Sequence, residues 1–114
     1  MKAGDSVRVK TGVIDPDLSI DIGAWQGRVH EVDAEGTAHI QWDSVTLRQM
    51  GMDLIIRCEN ENLDWRSMTL DRGEVESTRS RDSEQDVAAA VGEITREMLN
   101  DPRFDPDSEP PGVV

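Results

Sequence analysis

Apolar and polar side chains alternate in three short stretches near the start of the chain, and this pattern predicts β-strands. In SVRVKT, residues 6–11, the side chains of Val7 and Val9 share one face of an extended chain. Two further alternating stretches, residues 25–32 and 37–42, flank the polar sequence DAEG, which ends in glycine. A four-residue polar turn between two such strands indicates a β-hairpin.

The register of this hairpin follows from placing its apolar side chains on one face. The register that does so pairs Val32 with Thr37, His30 with His39, Val29 with Ile40, and Gly27 with Trp42. A slip of one residue would move the apolar set to the opposite face, so we expect the register to be well specified. Gly27 would then leave room for the ring of Trp42.

Helical spacing appears in the second half of the chain. A short helix is predicted over residues 53–61, with Asp53 as its N-cap. A longer helix is predicted over residues 83–99, because four apolar residues recur on one of its faces: Val87, Val91, Ile94 and Met98. The polar residues 79–82 are predicted to be a linker, and the tail of residues 100–114, rich in proline and acidic residues, is predicted to be disordered.

Several short strands, a long first loop and an irregular insertion together favour a small β-barrel. GDSVRVKTG and GAWQGRVHEVDAEGTAHIQW resemble the opening strands of SH3-like barrels, and Gly27-Arg28-Val29 before the hairpin is similar to the KOW motif. The expected fold is therefore mainly β: an SH3-like β-barrel domain over residues 1–78, with a short inserted helix and a C-terminal α-helix. The resemblance implies a binding module without chemistry of its own, since many KOW domains contact RNA or other proteins.

Net charge narrows the class of partner. The chain has 24 acidic and 12 basic residues and a formal net charge of -12. Such a charge opposes binding to nucleic-acid phosphates and to anionic membranes, so a protein partner is favoured. An RNA-associated KOW-like module remains an alternative, and its contacts would be Arg8, Lys10 and Arg28.

The first loop contains a second alternative, a calcium site. Asp17 follows Asp15 by two positions and Asp21 follows Asp17 by four, which matches ligand positions in the first half of an EF-hand loop. The most specific EF-hand positions do not match, because Ile20 stands where the loop needs glycine and Gln26 where it needs glutamate. A looser site formed by these three aspartates therefore remains open, with calcium as its cofactor.

Other chemistry-bearing residues have no recognisable partners in the sequence. Cys58 has no base or orienting group near it in the sequence, and it is expected to be buried in packing. His30 and His39 form an exposed cross-strand pair that lacks the further ligands of a zinc site. We therefore expect no enzymatic activity and no catalytic residues.

The surfaces expected to contact a protein partner are the first loop, Trp25 and the helical face of Val87, Val91, Ile94 and Met98. The chain is expected to be a monomer, or a weak homodimer that pairs through the C-terminal helix. The first ten residues lack the apolar core of a signal peptide, and no apolar run reaches the length of about 20 residues that spans a membrane. A cytoplasmic protein without membrane contacts is expected.

Overall fold

Five antiparallel strands form the main sheet, and two very short strands form a second sheet. The structure is a computed structural model that describes residues 1–104. In chain order the strands are β1 (Ser6–Val9), β2 (Ile14–Asp15), β3 (Ile20–Asp21), β4 (Gln26–Val32), β5 (Thr37–Trp42), β6 (Ser67–Asp71) and β7 (Val75–Ser77). The helices are α1 (Ser44–Gln49), α2 (Met52–Asn60) and α3 (Glu84–Leu99), and a 3₁₀ turn spans Arg72–Glu74.

The main sheet is open, with the strand order β6-β5-β4-β1-β7. A closed barrel requires every strand to have a neighbour on both sides. Within residues 1–104, β6 and β7 do not pair with each other, so the sheet does not close into a barrel. The chain turns from β6 through the 3₁₀ turn into β7, whose three residues pair only with β1. With about 33% helix and 28% strand, the fold is mixed α/β rather than mainly β.

β4 and β5 form the predicted hairpin, and Gly27 and Val29 have the partners predicted for them. Beyond Val29 a β-bulge inserts one extra residue into β4. As a result Glu31, rather than His30, lies opposite His39. The apolar face predicted for the hairpin is buried, and its members are Gly27, Val29, Ala38, Ile40 and Trp42.

The reason for a glycine at position 27 is the backbone of the neighbouring strand. A Cβ atom at Gly27 would lie 2.3 Å from the carbonyl oxygen of Gln41 and 2.8 Å from Cγ2 of Ile40. The three atoms nearest to such a Cβ belong to Gln41 and Ile40, and none belongs to the ring of Trp42, for which the sequence analysis reserved this space. Close approach of two backbones is a common use of a strand glycine.

The segment after β5 is helical, which the sequence pattern does not predict. Asp43 ends β5 and caps α1, because its Oδ1 accepts the N–H of Thr46 at 2.8 Å. The predicted inserted helix is observed as α2, but its N-cap residue is Gly51 and not Asp53. Two short helices therefore replace the single short helix that was predicted.

α3 lies within one residue of its predicted bounds and packs against α1. Its N-cap is Ser83, whose hydroxyl accepts the N–H of Asp86 while the Asp86 carboxylate accepts the N–H of Ser83. Of the predicted tail, residues 100–104 are described, and Phe104 packs partly against the core; residues 105–114 lie outside the described residues. No helix in the described part of the chain is long and apolar enough to cross a membrane.

Candidate functional site

A groove of about 660 Å³ separates the first loop from strand β6. It is lined by the first-loop residues 14–18, by residues 67–70 of β6, and by His39, Leu63, Asp64 and Glu74. We call it the first-loop groove. β2 and its partner β3 form the small hairpin from which one side of the groove is built.

Apolar side chains are accessible in this groove. Ile14 is 53% exposed, although most isoleucines in a folded domain are buried. Leu63 and Met68 also line the groove and are only partly buried against the core. The groove therefore offers a partner apolar contact that residues 1–104 leave uncovered.

Every formal charge on the lining of the first-loop groove is negative. The acidic residues are Asp15, Asp17, Asp64 and Glu74, and no lysine or arginine of the described residues lines it. Asp64 is partly compensated by Arg66, whose Nε lies 3.4 Å from Oδ1, whereas Asp17 is exposed. The groove is thus an acidic site with an apolar component.

Among the described residues, no strand pairs with the backbone edge of β6 that faces away from β5. The N–H of Trp42 donates to the carbonyl of Arg66 at 3.0 Å, which fixes which residues of this strand face β5. Hydrogen-bonded positions alternate in an antiparallel pair. The backbone N–H and C=O of Met68 therefore point towards β5, while those of Ser67 and Thr69 point outward. Those outward groups make no hydrogen bond to any other residue of the described chain.

A second groove, of about 920 Å³, lies between α3 and strands β4 and β5. Its lining includes Val87 and Val91 of α3 together with charges of both signs, Arg28, Arg66 and Glu84. Arg28 is already engaged by Asp82. This groove is larger, but within residues 1–104 it contains no unpaired strand edge, and its charges are of both signs. It is therefore the weaker candidate site.

The three aspartates of the predicted calcium site do not converge. Asp15 pairs with Ile20 in the small hairpin and Asp21 pairs with Ile14, so the two carboxylates leave opposite faces. Asp15 is buried and accepts the N–H of Leu18 at 2.7 Å. Among the described residues no group of three or more His, Cys, Asp or Glu side chains is arranged to hold a metal ion.

The residues predicted to contact a partner are mostly packed within the chain. Val87, Ile94 and Met98 are buried in the core, and only Val91 of the predicted helical face remains partly exposed. Trp25 is also partly buried and packs edge-on against Trp42, with ring centroids 5.2 Å apart. In this structure the helical face is therefore occupied by the chain's own core.

Two of the three predicted RNA-contacting residues have acidic partners. Arg8 lies 3.1 Å from Glu76 and Arg28 lies 2.5 Å from Asp82. Lys10 is exposed. These ion pairs reduce the positive charge that phosphate binding would use.

His39 belongs to a polar chain that the sequence does not predict. Its Nε2 lies 3.0 Å from Oγ of Ser67, and that hydroxyl donates to Oδ2 of Asp64 at 2.8 Å. Burial alone would raise the pKa of Asp64, but hydrogen bonds from Arg66 and Ser67 outweigh it and lower the pKa. The rings of His30 and His39 meet edge to face at 5.5 Å in spite of the bulge.

Cys58 is buried, as its place in an apolar helix face predicts. Burial, followed by the nearby charge of Glu61, raises the pKa of its thiol to about 11. The thiol is therefore protonated and shielded near neutral pH, which does not suit a nucleophile.

A partly buried polar cluster ties the predicted linker to the rest of the fold. We call it the clasp: Arg28, Asp43, Arg81 and Asp82. The carboxylate of Asp82 accepts from Arg28 and from the backbone N–H of Ser44, the latter at 2.7 Å. Arg81 donates from Nε to Asp43 at 2.7 Å. The clasp joins residues that are 38 to 54 positions apart, so no local sequence signal indicates it.

Comparisons with protein-family models, with curated proteins and with solved structures found no match to this chain.

The residues of the first-loop groove were largely missed by sequence reasoning. A signal did exist for β6, because Ser67 to Asp71 alternates polar and apolar side chains as an edge strand does. No such signal exists for Ile14, because its exposure depends on how the first loop folds back.

Proposed function

We propose that this chain is a non-enzymatic interaction module that binds a protein partner in the first-loop groove. The exposed Ile14 beside the unpaired edge of β6 is the observation that carries the proposal. An open strand edge is a template for pairing with another chain, and here an exposed apolar side chain lies on the same groove. A partner that fills the groove would cover both.

The relationship to SH3-like proteins is part of this proposal. The meander β4-β5-β6 is followed by the 3₁₀ turn and by a last strand that returns to β1. This connectivity supports kinship with small barrels that act as binding modules, in an open variant. A cytoplasmic location also belongs to the proposal.

Protein is favoured over RNA and calcium by the placement of charges. The predicted RNA contacts Arg8 and Arg28 are paired with acidic residues, and the groove itself is acidic. The carboxylates of Asp15 and Asp21 leave opposite faces of their hairpin. Neither alternative gains a specific observation in its favour.

Site-directed photo-crosslinking in native cell extract tests the proposal. A photoreactive residue is placed at Ile14, and the matched control carries it at Leu99, which is 60% exposed on α3. We expect discrete protein adducts from position 14 that are missing from position 99. Adducts of equal yield at both positions, or none at position 14, would contradict the proposal.

A further inference from the structure

We propose that the partner segment is an extended, basic peptide that adds to β6 as a further strand of the main sheet. This inference rests on the proposed function and goes beyond it, because it specifies the partner's charge, its conformation and the strand that it pairs with. Its evidence is the geometry of β6, the side chains beside that strand and the charge of the groove.

The backbone of β6 offers a docking edge. Ser67 and Thr69 each direct one N–H and one C=O away from β5, and those groups have no partner in the described chain. An extended peptide beside this edge would satisfy all four groups through main-chain hydrogen bonds. The opposite edge strand, β7, has only three residues and a shorter ladder to offer.

The groove lies along this edge. It contains side chains from both faces of β6, namely Met68 and Leu70 from the buried face and Ser67 and Thr69 from the other. Because side chains of a strand alternate between faces, an added strand would place every second side chain beside Met68. The expected sequence therefore alternates apolar and polar residues.

Charge complementarity selects a basic segment. No arginine or lysine of residues 1–104 lines the groove, while Asp17, Asp64 and Glu74 do. Lysine or arginine at the polar positions of the peptide would meet these carboxylates, and the attraction would weaken as salt is added. A second copy of this chain is a poorer occupant, since its β6 edge would bring the same acidic groove and like charges repel.

The test uses synthetic probes and the full chain. A fluorescein-labelled peptide of alternating lysine and valine is titrated and followed by fluorescence anisotropy, with an alternating glutamate and valine peptide as its charge control. Two further lysine–valine peptides carry N-methyl groups on every second backbone nitrogen. One is methylated on the nitrogens of its lysines and the other on the nitrogens of its valines. Because only one edge of the peptide faces β6, one methylation pattern should weaken binding about tenfold or more.

The matched variant is Thr69→Pro. The N–H of Thr69 points away from β5, so proline removes an outward donor without removing a bond of the β5–β6 ladder, and edge strands tolerate it. We expect Thr69→Pro to keep the thermal unfolding transition and to weaken the lysine–valine peptide about tenfold. Asp17→Asn, at an exposed position, should weaken it by about threefold and reduce its salt dependence.

The outcomes separate the two proposals. Selective binding of the lysine–valine peptide that is lost on N-methylation supports strand addition, even if Thr69→Pro fails to fold. Binding that protects Ile14 from crosslinking but resists both methylation patterns overturns strand addition and leaves the proposed function standing. If the lysine–valine peptide does not bind, or binds no better than its acidic counterpart, the inference is wrong. A lack of adducts at Ile14 contradicts the proposed function as well.

Discussion

Removal of the Asp82 carboxylate should destabilise the fold, because it breaks the most buried ion contact that Arg28 makes in the clasp. The side chain of Asp82 is 4% exposed, and that of its partner Arg28 is 16% exposed. Asp82→Ala leaves Arg28 without its countercharge in a partly buried place. It also removes the acceptor of the Ser44 N–H at the first turn of α1.

The expected magnitude follows from this burial. Breaking a buried ion pair by removing one partner costs about 3–5 kcal/mol. Arg28 keeps a hydrogen bond to Ser80 at 2.9 Å and some solvent contact, so we expect about 3 kcal/mol for Asp82→Ala. Since small domains are stable by only about 5–15 kcal/mol, the loss should be easily measured.

Urea unfolding followed by tryptophan fluorescence measures the effect. The control is Glu93→Ala, which breaks the exposed pair of Arg48 and Glu93 and should cost less than about 1 kcal/mol. Arg28→Met combined with Asp82→Ala should recover part of the loss, because it removes the unpaired buried charge. If Asp82→Ala costs no more than Glu93→Ala, the clasp does not hold the segment before α3 to the sheet.

Acid provides a second readout of the same pair. Burial alone would raise the pKa of Asp82, but hydrogen bonds from Ser44 and Arg28 outweigh it and lower the pKa below the ordinary value of an aspartate. A carboxyl whose pKa is lower in the folded state stabilises the fold above its ordinary pKa, and this stability is lost as the pH falls towards the folded value. The difference in unfolding free energy between wild type and Asp82→Ala should therefore shrink below about pH 4.

Three further predictions concern packing and reactivity. Gly27→Ala should destabilise the fold by about 1–3 kcal/mol or more in urea unfolding, because its Cβ would overlap the Gln41 carbonyl oxygen. Gly92→Ala in α3, where the added Cβ would lie 3.7 Å from Nη1 of the flexible Arg96 side chain, should instead stabilise by about 1 kcal/mol, and equal effects would disprove the close approach. Cys58 should resist iodoacetamide at pH 8 in the native chain and react after unfolding, and rapid native labelling would refute its burial. Ile94→Ala should cost about 2–5 kcal/mol, against less than about 0.5 kcal/mol for the exposed Leu99→Ala, and a small cost for both would mean that α3 is not part of the core.

Sequence patterns predicted those parts of the fold that depend on residues close together in the chain. The hairpin up to Val29 and the bounds of α3 follow from alternation and helical spacing. The bulge after Val29 did not follow, because His30 and Glu31 are both polar and the sequence does not show which of them lies opposite His39. α1 was missed because six residues that include Val45 and Thr46 do not favour a helix by themselves, and the cap at Asp43 decides the outcome.

The candidate site was less predictable because it depends on contacts between distant segments. Ile14 and Thr69 are 55 positions apart, and only the folded first loop places both on one groove. The pairing of charges was equally hard to predict. Nothing in the sequence indicates a countercharge for Arg28, but in the fold it is paired with Asp82. The sequence indicated the first loop as a contact surface, and this stays a prediction. Its carboxylates Asp15 and Asp21 accept backbone N–H groups in turns and leave opposite faces of the small hairpin.

The most direct test of a peptide-binding groove is to map where a basic strand-forming peptide touches the chain. Titration of the ¹⁵N-labelled full chain with the lysine–valine peptide, followed by NMR, measures the shift of every backbone amide. The account predicts the largest shifts at Ile14, Ser67 and Thr69, together with slower exchange of the amides of Ser67 and Thr69. Shifts confined to the groove beside Val91 and Gln41, or shifts spread evenly over the acidic surface, would contradict it.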